Sequence, residues 1–221
     1  MPPASHLPVV VLISGNGGNL QAIIDETASG ALNIDLRAVI SNRGDAYGLV
    51  RAQRAGIPAH SIRPRDFADS AHYESALSNM IDRYAPGLLV LAGFMRILGA
   101  SFVRHYQGRM FNVHPSLLPK YRGLHTHRRV LDAGDAMHGA SVHFVTEELD
   151  GGPVVVQKGF PVRADDDEQS LARRVQQVEH VIYPEAIRLF ASGRLRMRNG
   201  QAELDGHLMD APVTPESFST T

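Results

Sequence analysis

The chain has 221 residues, 43% hydrophobic and 20% charged, enough for one large core or at most two small ones and ordinary for a soluble globular protein. A formal net charge of −1 leaves no basic footprint for nucleic acid and no acidic tail. The absence of cysteine excludes disulfides and thiolate metal sites and fits a reducing cytoplasm, and the apolar run at 9–13 is too short for a secretory signal or a membrane span.

Residues 8–13 read as a buried parallel strand entering the tight turn Ser14-Gly15-Asn16-Gly17-Gly18. Residues 19–29 carry Leu20, Ile23 and Ile24 at helical spacing. A second strand at 34–40 is closed by Ser41-Asn42-Arg43, and a helix at 47–55 stops at Gly56 as a C-terminal glycine cap would stop it. A short third strand is expected at 57–62, then a long amphipathic helix at 66–84 ended by Pro86. Residues 88–92 form a core strand, and a short helix around 102–106 leads to a fifth strand at 111–113. The β-rich runs 141–145 and 154–162 have too few residues between them for a parallel crossover, so they pair antiparallel or bend sharply. A closing helix at 167–191 carries Leu171, Val175, Val178, Ile182, Ile187 and Leu189 on its apolar side. Residues 193–205 alternate about Asn199-Gly200, a hairpin signal. The order predicts one α/β domain over 8–206: a mainly parallel, right-handed wound sheet with an antiparallel C-terminal portion, and flexible ends at 1–7 and 211–221.

Three features carry chemistry. The turn Gly15-Asn16-Gly17-Gly18-Asn19-Leu20 would bare backbone N–H groups at a helix N-terminus, a seat for phosphate, or would simply need glycine for positive φ. It is not a dinucleotide fingerprint, because Leu20 stands at the third glycine position and the second strand ends in Ser41-Asn42-Arg43 without an acid. Asn112 and His114, two apart in a strand, point to one face at its C-terminal end, where ligands bind in parallel α/β proteins. Asp150 opens a Gly-Gly-Pro turn from which it can orient the imidazole; an amide donor, an acid/base and an orienting carboxylate suit acyl-type transfer. Of the eleven histidines, six lie between His105 and His143, but His125 and His127 diverge at a helix start and no cysteine assists them, so no metal is expected. His125, His127 and His138 read as polar loop residues.

These residues resemble the folate formyltransferases. The likeness runs from Val9 to about Gly206, through Leu12-Ile13-Ser14-Gly15-Asn16-Gly17, Val39-Ile40-Ser41-Asn42, Leu91-Ala92-Gly93-Phe94-Met95-Arg96-Ile97-Leu98, His114-Pro115-Ser116-Leu117-Leu118-Pro119 and Leu149-Asp150-Gly151-Gly152-Pro153. The last two stretches are shared across that family, while the glycine turn and short length point to its phosphoribosylglycinamide branch. The resemblance implies a Rossmann-like fold, a catalytic trio of Asn112, His114 and Asp150, and a phosphate turn at Gly17, Gly18 and Asn19, where relatives often carry Ser in place of Gly18. It further implies sugar-hydroxyl contacts from Gln176 and Glu179. The folate pocket would be lined by Met95, Arg96, Ile97 and Leu98, by Asn112, and by Thr146, Glu147, Glu148, Leu149 and Asp150.

On that resemblance the substrates are glycinamide ribonucleotide and 10-formyltetrahydrofolate, in de novo purine biosynthesis. The amine attacks the formyl carbon directly, through a tetrahedral intermediate whose oxyanion meets Asn112 and a protonated His114. A cytoplasmic monomer or weak homodimer, free of metal, nucleic acid and membrane, is the expectation. The methionyl-tRNA and formyl-folate-hydrolysing relatives are the near alternatives. A non-catalytic nucleotide-binding module would leave the trio unexplained.

Overall fold

The computed structural model describes residues 6–215. A seven-stranded sheet runs in the order β3-β2-β1-β4-β5-β6-β7. Its strands are β1 (Leu7–Ile13), β2 (Ile34–Ser41), β3 (Ala59–Ser61), β4 (Leu88–Leu91), β5 (Met110–His114), β6 (Met137–Phe144) and β7 (Val154–Pro161). The first five are parallel, while β6 runs antiparallel to β5 and β7 antiparallel to β6. A second sheet, β8 (Leu195–Arg198), β9 (Gln201–Leu204) and β10 (His207–Leu208), realises the Asn199-Gly200 hairpin and adds a third short strand. No helix among the described residues is long and apolar enough to cross a membrane.

The period of two in β1 decides which layer each residue serves. Val9, Val11 and Ile13 pack on the face covered by α1 (Gly18–Ala28) and α6 (Glu168–Ala191). Val10 and Leu12 pack on the other, with Tyr73, Leu77 and Ile81 of α3 (Ser70–Asp82) and Phe102 and Val103 of α4 (Ala100–His105). Because both faces are covered, β1 reads as an unbroken apolar run.

Several boundaries differ from the sequence expectation, each for a local reason. The long helix starts at Ser70 rather than Asp66, because Asp69 caps it by accepting from the His72 amide at 2.9 Å, and Pro64–Asp66 forms a separate 3-10 turn. The third strand is only Ala59–Ser61, since Pro58 has no N–H to give and lends its carbonyl to the Val39 amide. Strand β6 begins four residues earlier than expected, at Met137. Of the ends expected to be flexible, residues 1–5 and 216–221 lie outside the described residues. Within them, Leu7 pairs with Ile34, and Val213 exchanges backbone hydrogen bonds with Val155 and Gln157 of β7.

The strand order reverses direction between β1 and β4, and a crevice opens beyond their carboxyl ends. Ser14 holds its rim: its Oγ donates to Asn42 Oδ1 and accepts from the Met95 amide, both at 2.7 Å. Two loops thus converge there, the glycine turn after β1 and the segment 93–98 after β4.

Candidate active site

Strand β5 ends at His114, and Asn112 and His114 stand on one face of it as the alternation requires. Asp150 comes from the β6–β7 connection, in left-handed backbone at φ 48°. Its Oδ2 lies 3.3 Å from His114 Nδ1 and accepts from the Gly123 amide at 2.9 Å. The other ring nitrogen, His114 Nε2, lies 2.9 Å from the Tyr121 carbonyl, so it carries a proton and donates. His114 and Asp150 are both buried, with side chains 6% and 9% exposed.

Burial is the strongest influence on His114 and holds its pKa below the ordinary histidine range, while the Tyr121 carbonyl and the Asp150 charge pull upward. Burial would also raise the Asp150 carboxyl, but the His143 ring, the Gly123 amide and the His114 charge together hold it below the usual carboxylate range. Desolvation thus outweighs the neighbouring charge at His114, and both ring nitrogens face acceptors, Nε2 the Tyr121 carbonyl and Nδ1 the Asp150 carboxylate.

His143 is the residue that sequence reasoning missed. It lies directly opposite Asn112 in the β5–β6 register. Its Nδ1 donates to the Phe144 carbonyl at 2.9 Å, which leaves Nε2 as an acceptor for Asn112 Nδ2 at 3.2 Å. One amide hydrogen of Asn112 is thereby fixed, and the other is free to point elsewhere. The signal for His143 was its place in an alternating run, legible only once β5 and β6 were known to be antiparallel neighbours.

All ten side chains expected at the folate pocket line one cavity of about 710 Å³: residues 95–98, Asn112 and residues 146–150. Its mouth carries Met95, Ile97, Leu124 and Leu149, apolar side chains 70%, 77%, 72% and 53% exposed, an arrangement that suits a flat, largely apolar ligand. Arg122 pairs with Glu148, so the segment after Tyr121 is tied to the opposite wall. His125 is the N-cap of α5 (Thr126–Ala133), at φ 59°.

A second cavity, about 360 Å³, is lined by Pro115, His127, Arg173, Gln176 and Glu179 among others, and Pro115 and His127 border both spaces. Glu179 and Gln176 lie on α6, where Asn19 Nδ2 donates to Glu179 Oε2 at 2.8 Å, so the glycine turn and the two α6 side chains meet as expected. Burial pushes Glu179 up to about 7, against the bond from Asn19. His127 and His138 are not loop residues. His127 lies on α5 and His138 within β6, their Nδ1 and Nε2 2.9 Å apart, and burial lowers both, His138 to about 4. Among the described residues no group of three or more His, Cys, Asp or Glu gathers to hold a metal.

Residues 7–187 match the formyl transferase family model. The chain is 56% identical to phosphoribosylglycinamide formyltransferase of Escherichia coli over 198 residues, 90% of this chain and 93% of that protein. Among solved structures, it is similar to phosphoribosylglycinamide formyltransferase of Coxiella burnetii, with TM-score 0.89 and 55% identity over 93% of this chain and 96% of that one. It is also similar to glycinamide ribonucleotide transformylase 1 of Symbiobacterium toebii, with TM-score 0.87 and 41% identity over 90% and 94%.

Proposed function

The chain belongs to the formyl transferase family, and from that premise we propose that it transfers the formyl group of 10-formyltetrahydrofolate to the amine of glycinamide ribonucleotide, a step of purine biosynthesis. The carrying observation is that Asn112, His114 and Asp150 together line the larger cavity, which shares Pro115 and His127 with the smaller one. The larger cavity falls within the size range of cofactor sites and presents the residues that the resemblance assigns to the folate. The smaller one, with Gln176 and Glu179 beside the glycine turn, would take the phosphorylated sugar.

The donor supplies an electrophilic formyl carbon, which the acceptor amine attacks directly. Charge then collects on the formyl oxygen, and the free N–H of Asn112 Nδ2 is the donor fixed in advance for it. Burial lowers the His114 pKa, which favours a ring able to accept at Nδ1 the proton that the amine sheds. The resulting imidazolium has an acceptor on each nitrogen, the Tyr121 carbonyl and the Asp150 carboxylate. The 3.3 Å contact at Nδ1 is looser than a strong charge-assisted bond, so that N–H is shared with an oxygen or nitrogen arriving from the cavity. Donors fixed before the reaction cost no reorganisation when charge develops. The tetrahedral intermediate then collapses: the bond between the formyl carbon and N10 of the folate breaks, the imidazolium returns its proton to N10, and tetrahydrofolate leaves, with no covalent enzyme intermediate.

A cytoplasmic monomer or weak homodimer completes the proposal. The test is a formyl-transfer assay with 10-formyltetrahydrofolate against three acceptors: glycinamide ribonucleotide, initiator methionyl-tRNA and water. Stoichiometric formylation of the ribonucleotide alone supports the reading; dominant hydrolysis or tRNA formylation overturns it.

A further inference from the structure

On the reading above, the acceptor spans both cavities, its sugar beside Gln176 and Glu179 and its amine at His114. The sugar end is braced by Arg51, on α2 (Tyr47–Arg54), which donates from Nε to the Asn16 carbonyl of the glycine turn at 2.8 Å. The glycinamide link between the two ends has no protein donor assigned to it. Two residues border both cavities, Pro115 and His127, and only His127 has a polar side-chain atom to offer there. Its Nδ1 faces His138 Nε2 at 2.9 Å, while its Nε2 has no partner among the described residues. The side chain is only partly buried, and Nε2 is not sealed from the cavities.

The buried partner decides what His127 Nε2 carries. His138 is 1% exposed and lies opposite Phe160 in the β6–β7 register, edge-on to that ring at 6.0 Å, with the Arg174 guanidinium over the same ring at 4.1 Å. Burial is the largest influence on both histidines and lowers both; Asp135 pulls His138 up, Arg174 pushes it down and Glu168 pulls His127 up without reversing that direction. Each ring is therefore neutral and holds one N–H. His138 Nδ1 is buried with no hydrogen-bond partner. A hydrogen there would be a buried donor without an acceptor, the rarer kind of orphan, so His138 holds its hydrogen on Nε2 and donates it to His127 Nδ1. His127 must then hold its own hydrogen on Nε2. A donor of fixed tautomer is thus left for the space where the two cavities meet.

We propose that His127 is a further substrate-binding residue, whose Nε2–H donates to the amide carbonyl oxygen of glycinamide ribonucleotide, and that His138 is the positioning residue that fixes its tautomer. This rests on the acceptor reading given above. Between its sugar and its amine that molecule has one hydrogen-bond acceptor, the carbonyl oxygen, so a donor on the shared wall has one match. Holding that oxygen sets how far the amine, two bonds beyond the carbonyl carbon, reaches toward His114.

Nitrogen-15 NMR of the imidazole rings reads the tautomer, and calorimetry with glycinamide ribonucleotide and its thioamide analogue, whose sulfur is the weaker acceptor, reads the contact. In the parent His127 should be the Nε2–H tautomer; the Nδ1–H tautomer overturns the assignment. His127→Phe should weaken the ribonucleotide about tenfold, the worth of one net hydrogen bond, raise its KM and leave the KM of the formyl donor unchanged. It should also erase the preference for amide over thioamide that the parent shows. His127→Gln, which keeps an N–H and supplies a folded comparison should phenylalanine misfold, should lose less. His138→Phe should leave His127 in mixed tautomers with a smaller loss of affinity, and His138→Gln, which keeps a donor, should restore the single tautomer. A parent that does not bind the ribonucleotide overturns the acceptor reading itself. Given parental binding, unaltered affinity or an undiminished amide preference in His127→Phe overturns the contact, and an unmoved tautomer in His138→Phe overturns the positioning role.

Discussion

Asp150 Oδ2 stands 3.3 Å from His114 Nδ1 while holding the Gly123 amide at 2.9 Å, so one carboxylate oxygen joins the acid/base to the loop that closes over it. The same loop returns the Tyr121 carbonyl to His114 Nε2. The imidazole is thus oriented from both ends by parts of the chain far apart in sequence.

Removing the Asp150 charge tests that arrangement most directly. The charge raises the His114 pKa against burial, so Asp150→Asn should lower it further and move the acidic limb of the pH–rate profile to lower pH. Turnover should fall roughly a hundredfold to ten-thousandfold, by analogy with orienting carboxylates elsewhere, with the fold intact by circular dichroism. Near-parental turnover and an unmoved limb would make Asp150 a turn residue.

His143 should behave as a positioning residue. His143→Ala removes the acceptor that fixes Asn112 Nδ2, so kcat should drop on the order of tenfold, with KM for both substrates little changed. His143→Asn, which keeps an acceptor, should recover part of the rate. A KM effect without a kcat effect would mean that His143 shapes the cavity rather than the donor.

Glu179 makes a stability prediction with a definite sign. Its folded-state pKa of about 7 lies above the ordinary glutamate value, so between the two the folded chain holds a proton that the unfolded chain releases. Stability from this group is fully present below the ordinary value, declines as pH rises across that window, and levels off above it. Calorimetry of Glu179→Gln should show a flatter curve and a Tm a few degrees above the parent at about pH 8. Parallel curves for the two proteins would assign the dependence elsewhere.

The Arg122–Glu148 pair is solvent-exposed and spans the mouth of the larger cavity. Arg122→Ala should leave stability within about 1 kcal/mol of the parent and raise the KM of the formyl donor up to about fivefold, an effect that high salt should mimic in the parent. A large fall in Tm would show the pair to be structural.

The parts of the site legible in sequence were those contiguous in the chain. Asn112 and His114 share a strand, and the glycine turn follows directly from β1, so alternation and turn chemistry sufficed. What was not legible depends on register. His143 faces Asn112 only because β6 reverses against β5, a pairing that no local pattern announces. The early part of β6 was hidden because His138-Gly139-Ala140 lacks strand character. Its glycine is there for space, since a Cβ on Gly139 would stand 2.1 Å from the Lys158 carbonyl of β7. The histidine pair of α5 and β6 escaped for the same reason, since each partner alone reads as polar surface.

Tyr183 gives the two halves of the site a common ruler. Its hydroxyl lies 3.0 Å from the Leu91 carbonyl and 3.1 Å from that of Phe111, which cannot both receive its single proton, so it shares that proton between β4 and β5 one helical turn beyond Glu179. Helical rise then sets the offset between acceptor-facing and strand-borne side chains at about 6 Å along α6. Anyone redesigning this protein for another nucleophile inherits that spacing. A substitution at one α6 side chain alters one contact, but a change that slides or rotates α6 alters every attack trajectory at once.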